Sequence, residues 1–97
     1  MQLRLNDKKW NLEFLSPSQM PSDEKGGASY GQCQGPHIKG KKIKVNNSLS
    51  GELLLETLLH EMLHAFLWDI DEEVVHRFGE DVARALWRLG YRLKDEP

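Results

Sequence analysis

The feature that most constrains the fold is an apolar stretch, residues 53–68, into which His60, Glu61 and His64 are set. Its apolar side chains point to almost every side of a helix, which is typical of a buried helix. Burying three ionisable groups without partners would cost several kcal/mol. The pattern therefore indicates a bound ligand, such as a metal ion, that offsets this cost.

The spacing of these residues is that of a metal site. Histidines four positions apart lie one above the other on a helix, so both imidazoles can reach one ion. Neutral imidazole suits Zn²⁺, and catalytic zinc sites typically use three protein ligands and a water. Glu61 flanks the pair, where it can hydrogen-bond that water and accept its proton. We predict His60 and His64 as zinc ligands and Glu61 as catalytic base; a chance match on an amphipathic helix is the alternative.

A third zinc ligand is needed, and the following helix offers candidates. If the helices form an antiparallel hairpin that turns near Ile70, His64 and His76 lie six residues on either side and face each other. His76 is therefore the first choice as third ligand. Glu72 and Glu80 share its helix face at four-residue spacing and are the alternatives.

The rest of the pattern predicts one small α+β domain over residues 1–97. A β-rich part covers residues 2–46, with a hairpin over 2–15, a short strand over 28–34 and a half-buried strand over 42–46. Helices are predicted over 51–68 and 72–89. The expected fold is a small antiparallel or mixed sheet of three to four short strands packed on a two-helix hairpin.

Local signals place the turns and helix ends. Asn6-Asp7-Lys8-Lys9 supplies turn chemistry for the hairpin. Ser50 and Asp71 are the predicted N-caps, and Gly90 stops the second helix. The core stripe predicted for that second helix comprises Val75, Phe78, Val82, Leu86 and Leu89.

Composition narrows the possible partners and compartment. A net charge of −2 creates no global field that favours nucleic acid, and the basic run 39–44 is more typical of a solvated turn and edge strand than of a phosphate contact. A single cysteine, Cys33, excludes an internal disulfide and fits a reducing compartment. No segment has the character of a signal peptide or a membrane span. We expect a cytoplasmic protein without a membrane partner; no pattern indicates its oligomeric state.

The run Thr57-Leu58-Leu59-His60-Glu61-Met62-Leu63-His64-Ala65 resembles the active-site helix of SprT-like zinc metalloproteases, the group that includes the DNA–protein-crosslink protease Spartan. Residues 28–33 and 43–46, followed by Leu49, resemble the short strands that precede this helix. The resemblance covers residues 28–78, about half the chain. The resemblance implies a minimal zincin-like fold and peptidase activity. It also implies His60 and His64 as zinc ligands and Glu61 as catalytic base. A later histidine would be the third ligand, and His76 fits that place. A short connection before His76 and the lack of cysteines for a zinc ribbon depart from that family.

The expected function is therefore that of a zinc metalloendopeptidase acting on a peptide or protein substrate. The substrate could add itself as a strand to an exposed sheet edge, for which residues 43–46 are the candidate. The alternatives are a zinc-stabilised, non-catalytic module that binds a protein or nucleic acid, and a helical-hairpin interaction protein without metal. Glu61 favours the enzyme, because a structural zinc site has no need of a general base. Candidates for stabilising a developing oxyanion are Tyr30, His37, Arg77 and Tyr91.

Overall fold

The computed structural model describes residues 1–23 and 25–94, which form a four-stranded sheet and two α-helices. The elements are β1 (Gln2–Leu5), β2 (Lys8–Leu15), β3 (Gly31–Cys33), β4 (Lys42–Asn46), α1 (Gly51–Phe66) and α2 (Glu72–Arg88). The strand order is β1-β2-β4-β3, with β2 and β4 parallel and the other pairs antiparallel. The predicted α+β fold, a small mixed sheet with a two-helix hairpin, is confirmed.

The hairpin of β1 and β2 turns on two residues rather than four. Asn6 and Asp7 both have positive φ, 52° and 61°, a conformation that these two residue types tolerate well and that suits a tight hairpin. The predicted turn residues Lys8 and Lys9 instead begin β2. The Asn6 amide donates a hydrogen bond of 3.0 Å to the carbonyl of Phe66, which ties this turn to the end of α1.

β4 lies inside the sheet, between β2 and β3, so the prediction that residues 43–46 form an exposed edge is wrong. Ile43 and Val45 are completely buried, and Lys42 pairs with Glu13 of β2 at 3.4 Å. The alternating pattern identified the buried face correctly, but it carries no information on how many strands lie alongside. β3, which pairs with β4, is the strand at that edge of the sheet.

The core lies between the sheet and α1. Leu54, Leu58 and Ala65 of α1 pack against a sheet face that includes Trp10 and Ile43. Away from this face α1 is less covered than the sequence suggested, because Leu53 and Phe66, on its two flanks, stay 40% and 44% exposed. In the part of the chain that the structure describes, no helix is both long enough and apolar enough to cross a membrane.

The second helix packs on α1 through small residues. Asp71 caps it by accepting a hydrogen bond of 2.8 Å from the Glu73 amide, as predicted. Its buried residues are Val75, Gly79 and Ala83.

Two of the predicted stripe residues of α2 are exposed: Phe78 by 39% and Leu89 by 72%. Val75 is completely buried, as predicted, but the other two buried residues are Gly79 and Ala83, which the periodicity of the larger apolar side chains did not mark. A Cβ on Gly79 would lie 3.4 Å from the Glu56 carbonyl and 3.6 Å from His60 Cβ. The two helices are therefore closely packed where their polar residues meet.

Candidate metal centre

His60 and His64 share one carboxylate, that of Glu72, the first residue of α2. His60 Nε2 lies 3.0 Å from Glu72 Oε1, and His64 Nε2 lies 2.8 Å from Glu72 Oε2. The two imidazole ring centroids are 4.9 Å apart, as expected for neighbours on successive helical turns. One ligand atom from each of the three residues falls within 4.8 Å of the other two.

This donor set fits a catalytic zinc ion. Two imidazole nitrogens and one carboxylate oxygen form a common catalytic ligand set. Ligand atoms bound at about 2.0–2.1 Å around a tetrahedral ion lie ~3.3 Å apart. The two N–O distances here, 3.0 and 2.8 Å, are somewhat shorter and run to different oxygens of Glu72. The imidazoles are mostly covered, at 21% and 16% exposed, whereas Glu72 is 68% exposed. The group is therefore open to solvent on the side of Glu72.

His76, the first choice from the sequence, lies away from the point where these three side chains meet. Its Nε2 is 3.2 Å from Glu80 Oε1, and its ring centroid is 6.5 Å from that of His60. The residue that the structure brings to both imidazoles is Glu72, one of the two alternatives. Helical phase accounts for this: at about 100° per residue, Glu72 falls ~20° from the centre of the buried face of α2, and His76 ~60° from it.

Glu61 is buried between α1 and β3, only 8% exposed. Gly31 of β3 passes so close that a Cβ there would lie 2.8 Å from Glu61 Oε2 and 2.9 Å from Thr57 Cγ2. Burial, and then the negative charge of Glu72, raise the pKa of Glu61 to about 7. The absence of a side chain at Gly31 is thus what leaves room for this carboxyl group.

Burial also lowers the pKa of His60, and the neighbouring His64 and His76 act in the same direction, while Glu72 opposes them. The neutral imidazole is therefore favoured at this position. Neutral imidazole is the form that ligates a metal.

An open cleft of about 550 Å³ runs between the β3 edge and the histidines. Its lining residues are Gly31, Gln32, Cys33, His60, Glu61, His64, Trp68, Ile70 and Glu72. Neither β3 as the edge nor Gly31 was identified from the sequence as part of the site. The glycine at the start of a short strand was the available signal, because such a residue marks close approach of another group.

The Cys33 thiol lies on the same cleft but does not join the ligand group. Burial, and then the charge of Glu61, raise its pKa to about 12, so the thiol stays protonated. It donates a long hydrogen bond, 3.4 Å, to the carbonyl of Gln34.

One of the four oxyanion candidates borders the site. Tyr30 lines a second cavity of about 390 Å³ together with His60 and Glu61. Arg77 is exposed and pairs with Glu73 at 3.1 Å, and Tyr91 lines a separate apolar cavity. His37 lies against Gly35, in the turn before β4.

The chemistry of the cleft thus rests on a His–His–Glu group that could hold a metal ion, with a buried carboxyl group next to it. Comparisons of the chain with protein-family models, with curated proteins and with solved structures found no match.

Proposed function

We propose that this chain is a zinc-dependent peptidase in which His60, His64 and Glu72 hold the ion and Glu61 is the general base. The observation that carries the proposal is the meeting of both imidazoles at one carboxylate, with a second, buried carboxyl group on the same cleft. A bound zinc ion would activate water and polarise the scissile carbonyl. The resemblance of residues 57–65 to the SprT-like active-site helix supports the same assignment.

The two carboxylates of the cleft have different roles in this proposal. Glu72 is exposed and contacts both imidazoles, so it completes the ligand set. The Glu61 carboxyl group instead lies against Gly31 of β3, at the side of the cleft. From there Glu61 accepts the proton of the attacking water and passes it to the leaving amine.

The substrate chain would bind along β3. Within residues 1–23 and 25–94, this strand pairs with β4 alone, which leaves its other edge beside the cleft. An extended peptide can add itself to such an edge by main-chain hydrogen bonds. Because Gly31 contacts Glu61, a peptide paired with β3 would be held next to the general base.

The test compares zinc content and hydrolysis of an unfolded protein, such as casein, by wild type and by Glu61→Gln. Glu61→Gln should keep its zinc and lose at least about 100-fold in rate, since general-base catalysis contributes about 10²–10⁴-fold. Glu52→Gln is the matched control, an exposed carboxylate in the first turn of the same helix, and should behave as wild type. Hydrolysis unchanged in zinc-loaded Glu61→Gln would refute the catalytic role. Zinc binding without hydrolysis by wild type would favour the non-catalytic binding module.

A further inference from the structure

A second group of potential metal ligands lies one helical turn from the first. Glu56 of α1 and His76 and Glu80 of α2 bring one ligand atom each within 4.8 Å of one another. His76 Nε2 and Glu80 Oε1 are 3.2 Å apart. The proposed peptide hydrolysis uses none of these three residues.

The close contact at Gly79 explains why this second group forms. A Cβ on Gly79 would lie 3.4 Å from the Glu56 carbonyl and 3.7 Å from Glu56 Cγ. Gly79 immediately precedes Glu80 and lies three residues after His76, so the α2 ligands flank the point of closest approach. The helices thus present two matched rows at four-residue spacing: Glu56, His60 and His64 on α1, and Glu72, His76 and Glu80 on α2.

The charge of this second group also suits a cation. With a neutral histidine it carries two negative charges, from Glu56 and Glu80. Among residues 1–23 and 25–94, no lysine or arginine pairs with Glu56 or Glu80, and Glu80 contacts the His76 imidazole. Both carboxylates are half-buried, so solvent screens their mutual repulsion only partly. A divalent ion would neutralise them.

We propose that Glu56, His76 and Glu80 form a second divalent-cation site that binds Zn²⁺ more weakly than the His60–His64–Glu72 group. An imidazole with two carboxylates suits zinc or manganese, and the general affinity order favours zinc. Weaker binding follows from one imidazole in place of two and from the 60% exposure of His76. The cavity of about 390 Å³ lined by Glu56 and His76 leaves room for water to complete the coordination.

The test is a calorimetric titration of metal-free protein with zinc chloride. Wild type should bind two ions, one tightly and one more weakly. Glu80→Gln and Glu56→Gln should each lower the weaker affinity at least tenfold and leave the tight site unchanged. Glu73→Gln, an exposed carboxylate on the same helix, is the control and should bind as wild type. Circular dichroism checks that each variant is folded.

His76→Ala separates this proposal from the sequence-based choice of third ligand. Loss of the weaker ion alone is expected. Three results would each overturn the second site. The first is loss of the tightly bound ion in His76→Ala, and the second is binding of a single ion by wild type. The third is unchanged binding of both ions by Glu80→Gln and Glu56→Gln. None of these results depends on hydrolysis, so the second site and the peptidase proposal can fail separately.

Discussion

Glu61 is a buried carboxyl group that lowers the stability of the metal-free fold. Its pKa rises from 4.5 to about 7, first through burial and then through the charge of Glu72. Between these two pH values the folded chain binds more protons at this position than the unfolded chain does. The contribution of Glu61 to the free energy of unfolding therefore becomes less favourable as pH rises through this window, and it reaches its full cost above pH 7.

Replacing Glu61 by glutamine should therefore stabilise the metal-free protein at pH 8. We expect a gain of about 3 kcal/mol in the free energy of unfolding at pH 8, because the buried charge is removed, and a gain below about 1 kcal/mol at pH 5. Denaturant unfolding at the two pH values measures the difference. Glu52→Gln, exposed on the same helix, should show no such pH dependence. A Glu61→Gln protein less stable than wild type at pH 8 would contradict this account.

At the scale of elements, local chemistry predicted most of the boundaries. Asn6 and Asp7 specified the hairpin turn, Asp71 capped α2, and Gly90 with a φ of 93° follows the last residues of that helix. α1 ended at Phe66, two residues before the prediction. These features depend on neighbouring residues in the chain, which is why they could be predicted from it.

The relations between elements were harder to predict. Alternation along β4 could not show that β3 would cover its free edge, because a strand's neighbours come from distant parts of the chain. Counting from the turn placed His76 opposite His64 but ignored the phase of α2, which the small residues Gly79 and Ala83 determine. The sequence therefore singled out the α1 residues of the candidate group, and it offered Glu72 of α2 only as an alternative.

The cap of α2 should affect the metal site, because Glu72 directly follows Asp71. Asp71→Ala removes the hydrogen bond to the Glu73 amide and should cost about 1 kcal/mol of stability. Fraying of this first turn should also weaken zinc binding at the tight site. Asp71→Ser keeps a capping oxygen and should restore both properties. Equal zinc affinities in the alanine and serine variants, measured by calorimetry, would show that the cap does not position Glu72.

At the scale of the whole molecule, the hydrophobic core is small, and a bound metal ion would add to the stability that it provides. The largest fully buried side chains are those of Trp10, Ile43, Val45, Leu54 and Val75. A domain of this size buries a smaller fraction of its surface than a larger one, so a bound metal would add to its stability. The proposed ligands come from both helices, so an ion would join α2 to α1 and, through α1, to the sheet.

Thermal unfolding of metal-free protein, with and without buffered zinc, tests most directly whether His60, His64 and Glu72 bind one ion. At a free zinc concentration of 100 times the Kd of the tight site, zinc should stabilise wild type by about 2.7 kcal/mol. That corresponds to a Tm increase of about 10 °C or more for a domain of this size. Glu72→Gln should lose most of this increase at the same free zinc concentration, and Glu73→Gln should keep it. An unchanged Tm in wild type, or a full increase in Glu72→Gln, would contradict the account.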